Sequence, residues 1–133
     1  MPGLLATANI RRMSDYTIYH NPRCSKSRET LALLEQAGVA PRIVEYLKTP
    51  PTAAELKAIV ARLGIEPEQL VRKGEEVYKS DYAGKKLSAA QWIDAMVEHP
   101  VLIERPIVIR GKRAVLGRPP ENVKKLTGAQ ESE

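Results

Sequence analysis

A short apolar run of β-branched and aromatic positions, Tyr16-Thr17-Ile18-Tyr19, predicts a first strand. A helical run from Ser27 to Ala37 follows, with Gly38 as a natural stop and Pro41 beyond it. Arg42-Ile43-Val44-Glu45-Tyr46 alternates, so the opening reads as strand, helix, strand, with parallel strands and a right-handed crossover. Pro50-Pro51 breaks the chain, and Thr52 with Glu55 forms a capping box. Leu56, Ile59, Val60 and Leu63 then mark one helix face, closed by Gly64. Pro67 opens a short helix through Val71, while Lys73 to Lys86 is polar and interrupted by glycine, a short helix or a loop. A second capping box, Ser88 with Gln91, starts a helix whose predicted buried face is Trp92, Ile93, Met96 and Val97, ended by His99-Pro100. Ile107-Val108-Ile109 and Ala114-Val115-Leu116 read as a hairpin around Gly111, and Pro119-Pro120-Glu121 starts a last helix with Val123 and Leu126 inward.

This order, β-α-β, a helical insert, then β-β-α, predicts an α/β protein built on a four-stranded mixed sheet. No repeat or low-complexity linker interrupts it, so residues 14–127 read as one domain. Residues 1–13 read as a loose extension ahead of a second candidate start at Met13, and residues 128–133 as a polar, frayed tail. Hydrophobic residues make up 43% of the chain, enough for a core; with no Phe, that core must be filled by Leu, Ile, Val and Ala.

Chemistry concentrates at the one cysteine. Cys24 lies between the first strand and the first helix, with Arg23, Lys26 and Arg28 beside it in sequence. A lone cysteine is commonly a buried packing residue. A strand-to-helix turn, where helix amides face outward among cations, instead favours a thiolate. The net charge of +5 is spread along the chain and interrupted by acids. A nucleic-acid face would be a denser basic stripe, so a small anionic substrate fits better. One cysteine excludes an intrachain disulfide and a cysteine-cluster metal site, and it points to a reducing compartment, the cytoplasm. No metal-ligand spacing, paired-carboxylate pattern, transmembrane run or convincing signal peptide is present, so no metal and no membrane association are expected.

Four separated segments carry a resemblance. They are Tyr19-His20-Asn21-Pro22-Arg23-Cys24-Ser25-Lys26-Ser27-Arg28, Leu70-Val71-Arg72-Lys73, the run from His99 to Val108, and Gly117-Arg118-Pro119. Together they resemble the glutaredoxin-coupled arsenate reductases, part of the wider arsenate reductase/Spx group, over Ser14 to Leu126. The resemblance implies a thioredoxin-like fold with a cis proline before the third strand. Pro106 stands at that place; by pattern alone a trans proline at a strand start is as good a reading, and the resemblance tips it to cis. By the family pattern Cys24 is the nucleophile, Arg72, Arg105 and Arg118 hold the oxyanion, and His20 and Ser27 support the thiolate.

Arsenate is a tetrahedral oxyanion, and a thiolate attacking it must overcome like-charge repulsion. Helix amides and forked guanidinium groups offset that. With no second cysteine, the chain needs an outside thiol; the resemblance supplies glutathione as co-substrate and glutaredoxin as partner. No bound cofactor and a monomer are expected. The rival readings are an Spx-like transcription regulator that binds RNA polymerase, disfavoured because Ser27 stands where such proteins carry a second cysteine, and a monothiol glutaredoxin-like reductase of another substrate. A phosphatase-like arsenate reductase would need an arginine six positions after the cysteine, whereas Arg28 stands at four.

Overall fold

The computed structural model describes residues 15–127, and the expected extension 1–13 and tail 128–133 lie outside them. Strand β1 spans Tyr16–His20, helix α1 Ser25–Gln36, and strand β2 Arg42–Glu45. Helix α2 follows at Ala53–Leu63, then a 3-10 turn at Pro67–Leu70, α3 at Glu76–Asp81 and α4 at Ala89–Glu98. A second 3-10 turn at Pro100–Leu102 leads to β3 at Ile107–Arg110 and β4 at Arg113–Leu116. The chain closes with a 3-10 turn at Pro120–Val123 and α5 at Lys124–Thr127. The described residues divide into two compact units, 15–45 with 105–127, and Tyr46–Glu104.

The first unit holds the sheet, in the order β2-β1-β3-β4. β1 runs parallel to β2, with Ile18 opposite Ile43 and His20 opposite Glu45. It runs antiparallel to β3, with Ile18 opposite Val108. β3 and β4 form the expected hairpin, Val108 facing Val115. This is the four-stranded mixed sheet of a thioredoxin-like fold. Its core gathers Tyr16, Ile18, Leu34, Val39, Val108, Val123 and Leu126, with Leu31, Leu33 and Val115 packed against it. Val123 and Leu126 point inward as expected, but they come from a 3-10 turn and a four-residue helix rather than from one helix begun at Pro119.

The second unit is helical. α2 starts with a complete capping box, Thr52 Oγ1 accepting the Glu55 N–H at 3.1 Å and Glu55 Oε1 accepting the Thr52 N–H at 2.8 Å. It ends at Gly64, whose φ of 69° is the left-handed conformation that glycine adopts without penalty. α4 begins with the same device, Ser88 with Gln91. α4 packs on α2 and on both flanking 3-10 turns, burying Trp92, Ile93, Ala95 and Met96. Val97, expected on that face, is 37% exposed. At about 100° per residue, positions 95, 92, 96 and 93 span the buried arc in that order, and 97 lies just past Ile93 at its edge. Tyr78 of α3 stacks on Trp92 with ring centroids 6.3 Å apart, and Tyr82 lies 6.0 Å from the same ring.

Candidate active site

Cys24 is the N-cap of α1, partly exposed, with φ −96° and ψ 123°. The helix starts at Ser25, two residues before the expected Ser27, because the turn ahead of it is fixed by Asn21. The Cys24 N–H donates to Asn21 O at 3.0 Å, and the Arg23 N–H donates to Asn21 Oδ1 at 3.0 Å. An Asn-Pro pair initiates such turns, so the signal for Asn21 as a turn former lies in the sequence itself. The turn lifts the sulfur over the first helical amides. The Cys24 side chain closes no capping hydrogen bond of full geometry, yet the Ser27 and Lys26 amides face its sulfur.

Partial burial pushes the Cys24 thiol up, and this is the largest single influence on it. It is outweighed by the amides of Ser27 and Lys26, a hydrogen bond from the Arg105 side chain and the Arg105 charge, so the net displacement is downward, toward thiolate. Arg118 adds a long contact, Nη2 to Sγ at 3.9 Å, and its Nε donates to Arg105 O at 2.8 Å. Two arginines expected at the oxyanion therefore meet at the sulfur.

Their loops are held close by small features. The Arg105–Pro106 peptide is cis, as the resemblance implied, and so is Arg118–Pro119, which no reading of the sequence anticipated. The Gly117 N–H donates to Pro106 O at 2.9 Å. A Cβ built on Gly117 would fall 2.5 Å from Thr30 Oγ1 and 2.7 Å from Pro106 Cγ, so only glycine fits there without a shift. Asn122 Nδ2 donates to Leu116 O and to Arg118 O, both at 3.1 Å, fixing the turn that carries Arg118. Thr30 and Asn122 carry no sequence signal for these roles, since nothing local marks the segments they meet.

His20 and Ser27 are both buried. His20 Nδ1 lies 2.6 Å from Ser27 Oγ, which also accepts the Asn21 N–H at 3.1 Å. Burial pushes the imidazole below its ordinary 6.5; Glu45, opposite on β2, opposes this, and Arg28 reinforces it. The direction of the His20–Ser27 hydrogen bond follows the imidazole tautomer, since the hydroxyl has a second lone pair besides the one that accepts from Asn21. His20 thus contacts the Ser27 hydroxyl rather than the sulfur, and it anchors the residue whose amide faces that sulfur.

Arg72 belongs to the second unit. Its N–H donates to Leu102 O at 2.6 Å, and its guanidinium pairs with Glu75 at 3.2 Å and Glu104 at 3.5 Å. A shallow depression there, lined by Glu66, Glu68, Lys73 and Glu104 among others, is acid-rich and holds no nucleophile. Among the described residues no group of three His, Cys, Asp or Glu is placed to hold a metal, and no helix is long and apolar enough to cross a membrane.

A partly exposed cysteine at a helix start, met by arginines from two loops, has counterparts among known proteins. Residues 19–126 match the ArsC family. The chain belongs to that family. It is 52% identical over 108 residues to the arsenate reductase of Haemophilus influenzae, covering 80% of this chain and 93% of that protein. It is 50% identical over 113 residues to the uncharacterized protein YfgD of Escherichia coli, covering 84% of this chain and 95% of that one. The solved arsenate reductase of Vibrio cholerae superposes with a TM-score of 0.79 at 52% identity, over 81% of this chain and 93% of that one. The ArsC match begins at Tyr19 and ends at Leu126, so it takes in Cys24 and all three arginines.

Proposed function

We propose that this ArsC family protein reduces arsenate to arsenite, with Cys24 as nucleophile and glutathione and glutaredoxin as outside thiols. The observation that carries the reading is the meeting of Arg105 and Arg118 at the sulfur of an N-capping cysteine. The arsenate reductases of Haemophilus influenzae and Vibrio cholerae, each 52% identical to this chain, support the choice of oxyanion.

The Cys24 thiolate attacks arsenic, and one arsenate oxygen leaves as water after taking up two protons, giving a Cys24–S–As(V) ester. Helix amides and guanidinium groups offset the charge repulsion of that attack, the electrostatic contribution that usually dominates such catalysis. Glutathione then adds through sulfur to the arsenic with loss of a second oxygen as water. A glutaredoxin thiolate attacks the glutathionyl sulfur, a mixed disulfide forms, and the As–S bonding pair stays on arsenic, taking it from As(V) to As(III). Hydrolysis releases arsenite and restores Cys24. The two electrons come from two outside thiols, as they must for a chain with one cysteine. Arg72 is kept as the third oxyanion arginine on the family motif, His20 and Ser27 as thiolate support, and the protein works as a cytoplasmic monomer with no bound cofactor.

The test is arsenate-dependent NADPH oxidation with glutathione, glutathione reductase and glutaredoxin, run beside Cys24→Ser. Wild type turns over, and the variant loses about a thousandfold or more, the scale on which removing a nucleophile acts. Equal rates in the two proteins would remove Cys24 from the mechanism. Activity toward glutathione mixed disulfides without any arsenate turnover would give the site to another substrate.

A further inference from the structure

We propose that the side chains of Arg23 and Lys26 form a carboxylate-binding rim that selects an anionic thiol as the reaction partner of Cys24. The inference rests on the reading of Cys24 as a nucleophile resolved by an outside thiol, and it concerns cations that the oxyanion chemistry leaves unused.

Five basic residues surround Cys24, either in sequence or in space, and three have assigned contacts. Arg105 and Arg118 reach the sulfur, and Arg28 Nη1 donates to Pro22 O at 2.9 Å. Arg23 and Lys26 are different. Both are exposed, and among the described residues neither side chain forms an ion pair or hydrogen bond. Yet the backbone beneath each is pinned. The Arg23 N–H is held by Asn21 Oδ1, and Lys26 O accepts the Thr30 hydroxyl at 2.8 Å. Two solvated cations thus extend from fixed backbone immediately before the nucleophile and two positions after it, one on the turn and one on the first turn of α1.

The charge balance gives them a purpose. Once an oxyanion is bound to the sulfur, the site carries the anion that Arg105 and Arg118 neutralise. A neutral thiol could approach without further help. A thiol bearing carboxylates would be repelled unless other cations stood at the rim, and steering by such cations acts on the rate of encounter. The class that fits is a small thiol with a carboxylate on either side of its sulfur, as in glutathione, matched by cations one position before Cys24 and two positions after it in the chain.

The test uses thiol–disulfide exchange on the full chain, which needs no arsenate. The Cys24 thiolate attacks a symmetric disulfide, a mixed disulfide forms on Cys24, and one thiolate leaves. Rates are measured by mass spectrometry with glutathione disulfide (anionic), bis(2-hydroxyethyl) disulfide (neutral) and cystamine (cationic). Each charged reagent is expressed as a ratio to the neutral one, which cancels any change in thiolate fraction or in folding. In the double variant Arg23→Gln/Lys26→Gln, the glutathione ratio should fall by about fivefold to tenfold at low salt, the size expected of two exposed charge contacts. The cystamine ratio should rise. Both changes should shrink at 1 M salt, where screening acts within about 3 Å. An unchanged glutathione ratio, or anionic and cationic ratios moving the same way, overturns the rim. No reaction of Cys24 with any of the three reagents would instead overturn the nucleophile itself.

Discussion

The longer helices of the two units start in opposite ways. In Tyr46–Glu104, α2 and α4 each open on a capping box that closes first-turn amides with side-chain oxygens, and the 3-10 turn at Pro67 carries a third, Glu66 with Gln69. In the sheet unit, α1 opens on Cys24 with no side-chain capping bond of full geometry, and its first amides face the sulfur instead. An N-cap Ser or Thr is worth about 1 kcal/mol over an uncapped start. The second unit uses that stabilisation. The first forgoes it at the one helix whose amides face a sulfur, so the same backbone groups that lock a helix elsewhere are left to hold negative charge here.

Substitutions can break this contrast. The largest effect is expected at Gly117, where a methyl group would press on Thr30 and Pro106. Gly117→Ala should lower stability by about 2 kcal/mol, an overpacking loss, read as a lower urea midpoint with unchanged slope. Next come the caps. Thr52→Ala and Ser88→Ala should each cost about 1 kcal/mol while leaving the alkylation rate of Cys24 as it was; a matching loss of alkylation would mean that the helix starts do not divide their roles as described. Cys24→Ser should move the other way. At a pH low enough to protonate the thiol it should gain roughly 0.5 kcal/mol, because a hydroxyl is a better cap than a protonated thiol, while abolishing arsenate turnover. A variant both dead and less stable would show that the sulfur packs as well as reacts.

The smallest effect concerns pH. The folded protein holds His20 below its ordinary 6.5, whereas the unfolded chain takes up the proton there. Stability from the neutral ring is therefore complete above pH 6.5 and declines as pH falls through 6.5 toward the folded value, then levels off. His20→Gln should flatten that decline in urea titrations, and an equal decline in both proteins would leave the imidazole out of it.

Local signals made much of the scaffold legible. Thr52 with Glu55, Ser88 with Gln91, Gly64 and the Gly111 hairpin all sit where their chemistry required, because caps and turns depend on neighbours in sequence. Positions that depend on distant partners were not legible. Val97 was assigned inward by its apolar character, but burial along α4 is set by what packs against it. Ile43 sits on the edge strand β2 and is 47% exposed for the same reason. At the site, Cys24 stood out through its neighbours, and Arg105 and Arg118 entered only through resemblance. Thr30 reaches Gly117 across 87 positions of chain, a separation that no window of sequence spans.

The stacked ring of Trp92 has a practical consequence. It is the sole tryptophan of the chain, 2% exposed, and two tyrosines lie within 6.3 Å of it. Its emission is an intrinsic optical probe confined to Tyr46–Glu104, while Cys24 offers a separate chemical probe confined to the sheet unit. Following fluorescence and thiol labelling through one denaturant series would reveal whether the two halves melt together or in succession, without any engineered residue.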